Sequence, residues 1–118
     1  MIRIGAIVLN AADPARASAF WSQALGFRPA GNPDFLLPAE APAPRLHLDG
    51  SDRTHLDLWV DSAEEQAAEV ERLLGLGAVR VEWDYPDDAD FVVLGDPCGN
   101  RFCIVDTDAA GSGPSGGT

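Results

Sequence analysis

The sequence predicts an α+β fold made of two successive βαβββ modules. The first observation is an order of strand-like and helix-like patterns that occurs twice along the chain. The second is a pair of matching helix ends, Leu25-Gly26-Phe27 and Leu76-Gly77-Ala78. Repetition of a whole supersecondary unit at matching spacing is typical of a duplicated architecture.

The first module begins with an apolar, β-branched run from Ile4 to Leu9, which predicts a strand. Asp13 suits the N-cap of a following helix, Pro14 suits its first position, and Gly26 suits its end. Spacings of three and four predict a buried helix stripe of Ala17, Phe20, Trp21, Ala24 and Leu25. Three short strands are predicted next, over about Arg28 to Ala30, Phe35 to Leu37 and Arg45 to Leu48.

The second module repeats this order, with a predicted strand from His55 to Val60. Ser62 and Glu65 have the spacing of a capping box, so a helix is predicted after Ser62 that ends near Leu76-Gly77. Its predicted buried stripe is Ala63, Ala67, Val70 and Leu74. Three strands are predicted to follow, over Val79 to Trp83, Phe91 to Leu94 and Arg101 to Val105.

These boundaries predict one domain over residues 1–106, with module one at about 1–50 and module two at about 54–106. Residues 107–118 are poor in apolar side chains, so we expect a disordered tail there. Cys98 and Cys103 lie too close in the sequence to form a disulfide framework and are interpreted as thiols.

Composition excludes several classes of partner. The chain has 19 acidic and eight basic side chains in 118 residues, and its formal charge of −11 disfavours nucleic acid and anionic membranes. No apolar run approaches the roughly 20 residues of a membrane span. The N-terminal residues lack the pattern of a secretory signal, so a cytoplasmic location is expected.

Side-chain alternation on the predicted strands separates an apolar face from a polar one. In the fifth strand, Leu56, Leu58 and Val60 point to one side, which we expect to be the core. Two further strands alternate in the same way, since Leu46 with Leu48, and Phe102 with Ile104, supply apolar side chains. The opposite face is predicted to collect Arg45, His47, His55, Asp57, Trp59, Arg101 and Cys103.

Two interpretations of this polar set remain open. Any one of these residues fits the solvated face of an antiparallel sheet. Together they fit a binding pocket, which combines a few convergent polar groups with an aromatic surface for stacking. Trp59 offers such a surface, and His55 is a residue that titrates near neutral pH.

Four segments in order carry a family resemblance. They are Ile7-Val8-Leu9 with Ala12-Asp13-Pro14, Phe20 to Phe27, His55 to Asp61, and Asp96 to Val105. With this pattern the chain resembles the vicinal oxygen chelate superfamily of glyoxalases, bleomycin resistance proteins and extradiol dioxygenases, in the glyoxalase-like branch common among bacteria. The resemblance implies a curved mixed sheet with a concave cavity, a small-molecule ligand and a homodimer.

The resemblance also indicates where metal enzymes of the superfamily hold their ion. The four corresponding positions are Ala6, His47, His55 and Cys103. Ala6 cannot bind a metal and Cys103 replaces the usual carboxylate, so no cofactor is expected. If a metal is present, His47, His55 and Cys103 suit zinc best.

Two functions follow as hypotheses. The first is a binding protein without the usual metal site that sequesters an antibiotic or metabolite, with Arg45, His47, Trp59, Arg101 and Cys103 as ligand contacts. The alternative is a lyase, isomerase or dioxygenase-type enzyme, either metal-dependent or using His55 with Asp57 as acid and base.

Overall fold

A computed structural model describes residues 1–40 and 43–108 of the chain. It confirms the predicted α+β class, with two helices and one eight-stranded mixed sheet. In chain order the elements are β1 (Arg3–Asn10), α1 (Pro14–Leu25), β2 (Arg28–Pro29), β3 (Phe35–Leu37), β4 (Arg45–Asp49), β5 (His55–Val60), α2 (Ala63–Gly75), β6 (Val79–Arg80), β7 (Phe91–Gly95) and β8 (Arg101–Asp106).

The strands lie in the order β2-β3-β4-β1-β5-β8-β7-β6. The β1–β4 pair is parallel, whereas β2–β3, β3–β4, β6–β7 and β7–β8 are antiparallel. The chain divides into two compact units. We call residues 4–56 the N-terminal unit, and residues 1–3 together with those from 57 onward the C-terminal unit.

Helix α1 begins and ends where the sequence predicts. The Asp13 carboxylate accepts a hydrogen bond from the Arg16 amide at 3.2 Å, and Gly26 has the left-handed φ of 69° that ends the helix. The predicted stripe is only partly correct, because Phe20 and Leu25 are 62% and 47% exposed. The helix instead buries Ser18, whose hydroxyl donates to the Pro33 carbonyl at 2.9 Å.

The core of the N-terminal unit lies between α1 and the sheet. Its buried members are Leu36, Leu46 and Leu48. Ala17 and Trp21 of the helix pack against them, together with residues of β1. The predicted placement of Leu46 and Leu48 beneath a helix is therefore confirmed.

Helix α2 starts with the predicted cap, in which the Ser62 hydroxyl accepts from the Glu65 amide at 3.0 Å. Its buried stripe differs from the prediction, because Ala67 is exposed and Gln66 faces the sheet. The Gln66 amide donates to two backbone carbonyls, of Asp90 at 3.0 Å and of Ile104 at 2.9 Å. A polar residue is found in the stripe because its side-chain amide forms hydrogen bonds with both carbonyls, and the Asp90 carbonyl also accepts from the Asp106 amide.

The core of the C-terminal unit on the helix side is formed by Val60, Val70, Leu94 and Ile104. Strand β6 stops at Arg80, three residues before the predicted end at Trp83. The chain then leaves the sheet edge, and the Tyr85 hydroxyl accepts from the Val93 amide at 2.8 Å. A side chain thus replaces the missing strand as hydrogen-bond partner of β7.

Neither described helix combines the length and apolar character needed to cross a membrane. After β8, the Thr107 amide and hydroxyl both donate to the Val60 carbonyl, at 3.0 and 2.9 Å. Residues 109–118 of the expected tail lie outside the described residues.

Candidate functional site

The C-terminal unit has a second hydrophobic cluster on the side of its sheet away from α2. Antiparallel pairing places Phe91 opposite Val105 and Val93 opposite Cys103, and all four are buried. Half-buried Trp59, Val81, Trp83 and Ala89 pack around this floor. We call this surface the aromatic face, formed by Trp59, Val81, Trp83, Ala89, Phe91, Val93, Cys103 and Val105.

Both tryptophans of the aromatic face have a guanidinium group beside them. The Arg101 guanidinium carbon lies 5.6 Å from the ring centre of Trp83. The Arg3 guanidinium carbon lies 6.0 Å from the ring centre of Trp59. Both distances are within the reach of cation–π attraction, which extends to about 6 Å.

Asp57 lies deeper than the sequence suggests. It is 3% exposed, whereas Leu56 on the predicted core side of β5 is 39% exposed. The expectation that only the leucine side is core is therefore wrong at this strand. The reason is that Phe91, Val93 and Val105 make the opposite side of the C-terminal sheet apolar as well.

The Asp57 carboxylate belongs to a group of three side chains whose metal-binding atoms lie close together. His55, Asp57 and Cys103 each offer one ligand atom, and these atoms are buried and lie within 4.8 Å of one another. The set predicted from the sequence was His47, His55 and Cys103. The group found in the structure contains Asp57 instead of His47. Imidazole, carboxylate and thiolate are the three ligand types that zinc uses in proteins.

A backbone contact sets the tautomer of His55. Its Nδ1 lies 2.6 Å from the Arg53 carbonyl oxygen, which can only accept a hydrogen bond. We therefore assign the proton to Nδ1, so the neutral ring carries its lone pair on Nε2. Metal-bound and proton-accepting histidines are commonly held in this way, through a carbonyl on the other nitrogen.

In the N-terminal unit, the predicted residues Arg45 and His47 contact a phenylalanine. The His47 ring stacks on Phe35 with centroids 4.1 Å apart and planes 14° apart, as expected from their opposed positions on β4 and β3. The Arg45 guanidinium carbon lies 4.4 Å from the Phe35 ring centre. We call these three residues the Phe35 stack.

Asp49 lies at the edge of the Phe35 stack. Its Oδ2 is 3.7 Å from His47 Nε2. A hydrogen bond from the Ser51 amide, with smaller help from the Ser51 hydroxyl and the nearby His47, keeps the pKa of Asp49 below its usual value. Asp49 therefore stays ionised at neutral pH.

Sequence reasoning missed most of the apolar part of the site. Phe35, Trp83, Phe91, Val93 and Val105 were not among the predicted site residues. The available signal was the alternation in Phe91-Val92-Val93-Leu94, which places Phe91 and Val93 on one side. Assigning that side required the register of β7 on β8, which the sequence does not give.

Two shallow depressions lie on the surface of the N-terminal unit, both bordered by Phe20 of α1. One is lined by Ala19, Phe20, Gln23 and Ala24. The other is lined by Asn10, Ala11, Ala12, Asp13, Arg16, Ala17 and Phe20. They offer a rival location for a ligand, and Trp21 would report on binding there because its ring contacts Phe20 edge to face at 5.0 Å.

Comparison with known proteins agrees with this fold. A family model described as glyoxalase-like domain matches residues 6–105. A chain from Legionella pneumophila, described as NAD-dependent benzaldehyde dehydrogenase, is 18% identical with a TM-score of 0.61, over 86% of this chain and 96% of that one. No protein of curated function matches the sequence.

Two further solved structures are similar at lower TM-scores. A glyoxalase-related enzyme from Fulvimarina pelagi is 21% identical, with a TM-score of 0.42 over 88% of this chain and 87% of that one. A glyoxalase/bleomycin resistance protein/dioxygenase family enzyme from Burkholderia phytofirmans is 21% identical, with a TM-score of 0.42 over 86% and 96%. At such identities structural likeness concerns the fold alone.

Proposed function

Because the chain belongs to the glyoxalase-like domain family, we propose that it is a small-molecule-binding protein whose ligand lies on the aromatic face. The observation that carries the proposal is the buried carboxylate of Asp57, which lies within 4.8 Å of the Cys103 sulfur on this face. A buried carboxylate costs free energy that an apolar residue would not, so its retention favours a functional role. Trp59 and Trp83 supply flat surfaces on which a ligand can stack.

We propose separately that Arg45 and His47 are ligand contacts within the N-terminal unit. In the Phe35 stack both side chains are held by a ring, so their rotamers are fixed before a ligand arrives. Side chains that are ordered in advance lose less entropy on binding. Sequestration of an antibiotic or metabolite is the activity that such a pre-formed site supports without further chemistry.

A thermal-shift screen of a small-molecule library tests this function. A ligand present at 100 times its dissociation constant stabilises the folded state by about 2.7 kcal/mol. For a hit, Trp59→Phe and Asp57→Asn are expected to weaken binding. Trp21→Phe is the matched control, because Trp21 packs in the core of the N-terminal unit. Equal affinities of all three variants and the wild type would contradict the proposal.

A second candidate is an enzyme of lyase or isomerase type, and the geometry of His55 favours it. The lone pair on Nε2 equips His55 to accept a proton from a carbon acid, with Asp57 nearby to stabilise the imidazolium. In the metal-dependent version, His55, Asp57 and Cys103 would hold Zn²⁺, whose chemistry would be to polarise a carbonyl or enolate oxygen of the substrate. Arg53 then orients the His55 ring through its carbonyl.

Cobalt(II) titration tests the metal-dependent version without an activity assay. A Cys103 ligand gives a sulfur-to-cobalt charge-transfer band, which Cys103→Ser and Asp57→Asn should remove or weaken. Cys98→Ser is the control, because Cys98 is exposed and outside the group. Absence of any cobalt or zinc binding by the wild type would leave the metal-free version.

We also propose that the chain forms a homodimer. Exposed Phe20 and Leu25 on α1 support this, since large apolar side chains at a surface often mark a contact with another chain. Light scattering is expected to give twice the chain mass for the wild type and a lower mass for Phe20→Glu. A wild-type monomer at micromolar concentration would contradict the proposal.

A further inference from the structure

The negative charge of the protein is distributed very unevenly. The C-terminal unit carries 14 acidic side chains against four arginines, a difference of −10. The N-terminal unit carries five acidic side chains against four arginines, a difference of −1. If the acidic side chains served only solubility, they would be expected in both units alike.

Much of this charge belongs to the segment that borders the aromatic face. Residues 81–90, which we call the acidic loop, connect β6 to β7 and contain five carboxylates but no basic side chain. Val81, Trp83 and Ala89 of the loop are also members of the aromatic face. The acidic side chains are Glu82, Asp84, Asp87, Asp88 and Asp90.

The field of the acidic loop reaches the buried part of the site. Asp90 at the end of the loop has a raised pKa, caused first by its burial and then by the carboxylates of Asp106, Asp57 and Asp88. Asp90 therefore lies in a region of negative potential that these neighbouring carboxylates produce. That region runs from Asp88 in the loop to Asp57 beside the aromatic face.

The two tryptophans already lie next to cations. Arg101 is at 5.6 Å from Trp83 and Arg3 at 6.0 Å from Trp59, and both arginines are exposed. An exposed guanidinium moves aside at little cost, because its ion pairs and stacking are weak in water. Both rings are therefore already in contact with cationic groups of the chain itself.

From these contacts and this charge distribution we propose that the ligand of the aromatic face is an organic cation, with an ammonium or guanidinium group next to an aromatic or apolar body. The inference rests on the proposed function, because it specifies the ligand class of the same face. The cationic group lies against the ring of Trp83 or Trp59 within the field of the acidic loop. The apolar body covers the floor formed by Phe91, Val93 and Val105.

Three probes of nearly the same shape test the charge requirement. Phenylguanidinium is cationic, phenylurea is neutral and benzoate is anionic. Fluorescence quenching is measured in the Trp21→Phe variant, so that only Trp59 and Trp83 report. Phenylguanidinium is expected to bind at least about fivefold more tightly than phenylurea, and benzoate more weakly than both. Among the three probes, added salt should weaken the binding of phenylguanidinium alone.

A pair of matched variants locates the effect. Asp87→Asn combined with Asp88→Asn removes two charges from the acidic loop, and Glu64→Gln combined with Glu71→Gln removes two exposed charges from α2. The loop variant should lose about fivefold in affinity for phenylguanidinium and none for phenylurea. The helix variant has the same net charge as the loop variant, and its affinity for phenylguanidinium should fall by less than twofold.

Phenylurea or benzoate binding as tightly as phenylguanidinium would overturn the cation inference while supporting the proposed binding face. Equal losses in the loop and helix variants would also overturn it, because the effect would then follow net charge alone. Failure of all three probes to quench either tryptophan would overturn the inference too. The library screen with Trp59→Phe would still decide the proposed function separately.

Discussion

Replacing Gln66 of α2 by methionine should destabilise the C-terminal unit by an amount that its contacts define. The amide nitrogen of Gln66 donates to the carbonyls of Asp90 and Ile104, at 3.0 and 2.9 Å. Methionine has a similar length but no donor. Two hydrogen bonds at about 1 kcal/mol each, with each carbonyl losing one donor in a part-buried place, give a loss of about 2–3 kcal/mol, although the Asp90 carbonyl keeps the bond from the Asp106 amide at 2.8 Å.

Urea and thermal unfolding followed by circular dichroism measure this loss. For a chain of this size, about 2–3 kcal/mol corresponds to a fall in melting temperature of about 8–12 °C. Gln23→Met is the matched control, because Gln23 is exposed on α1 and its replacement should change stability by less than about 0.5 kcal/mol. Similar melting temperatures for the two variants would refute the role given to Gln66.

Three further changes have signs that follow from the structure. Burial first, and the Asp106 carboxylate next, raise the pKa of Asp90. The contribution of Asp90 to stability is therefore present below its ordinary pKa and is lost as pH rises through the raised pKa. In unfolding curves at both pH values, Asp90→Asn should stabilise the protein at pH 7 but not at pH 3. Tyr85→Phe removes the acceptor of the Val93 amide and should cost about 1 kcal/mol in urea unfolding, whereas an unchanged free energy of unfolding would contradict this role of Tyr85. Gly26→Ala should cost about 1 kcal/mol because φ is 69° there, and Gly26→Asn less; equal stabilities would contradict this.

The sequence predicts the elements well where local chemistry decides them. Asp13, Pro14 and Gly26 set both ends of α1, and the alternation from His55 to Val60 gives the bounds of β5. Prediction from the sequence fails where contacts with residues far along the chain decide the position of a side chain. Gln66 lies in the α2 stripe because carbonyls far along the chain require its amide.

The candidate site was predicted in its polar members and missed in its apolar ones. Alternation alone brought His55, Asp57 and Cys103 to one side of the sheet, and the structure places their ligand atoms together. The apolar members of that side include Phe91 and Val93, which come from a strand whose register no local signal fixes. The early end of β6, which brings Trp83 onto the aromatic face, depends equally on non-local contacts.

The chain contains three tryptophans, and their indole N–H signals allow a direct test of ligand placement on the aromatic face. Each signal is assigned by one Trp→Phe variant in a ¹H–¹⁵N correlation spectrum, and a screening hit or phenylguanidinium is then titrated. We predict that the signals of Trp59 and Trp83 shift together while that of Trp21 stays in place. A shift of Trp21 alone would place the ligand in the depressions beside Phe20 and would contradict binding at the aromatic face.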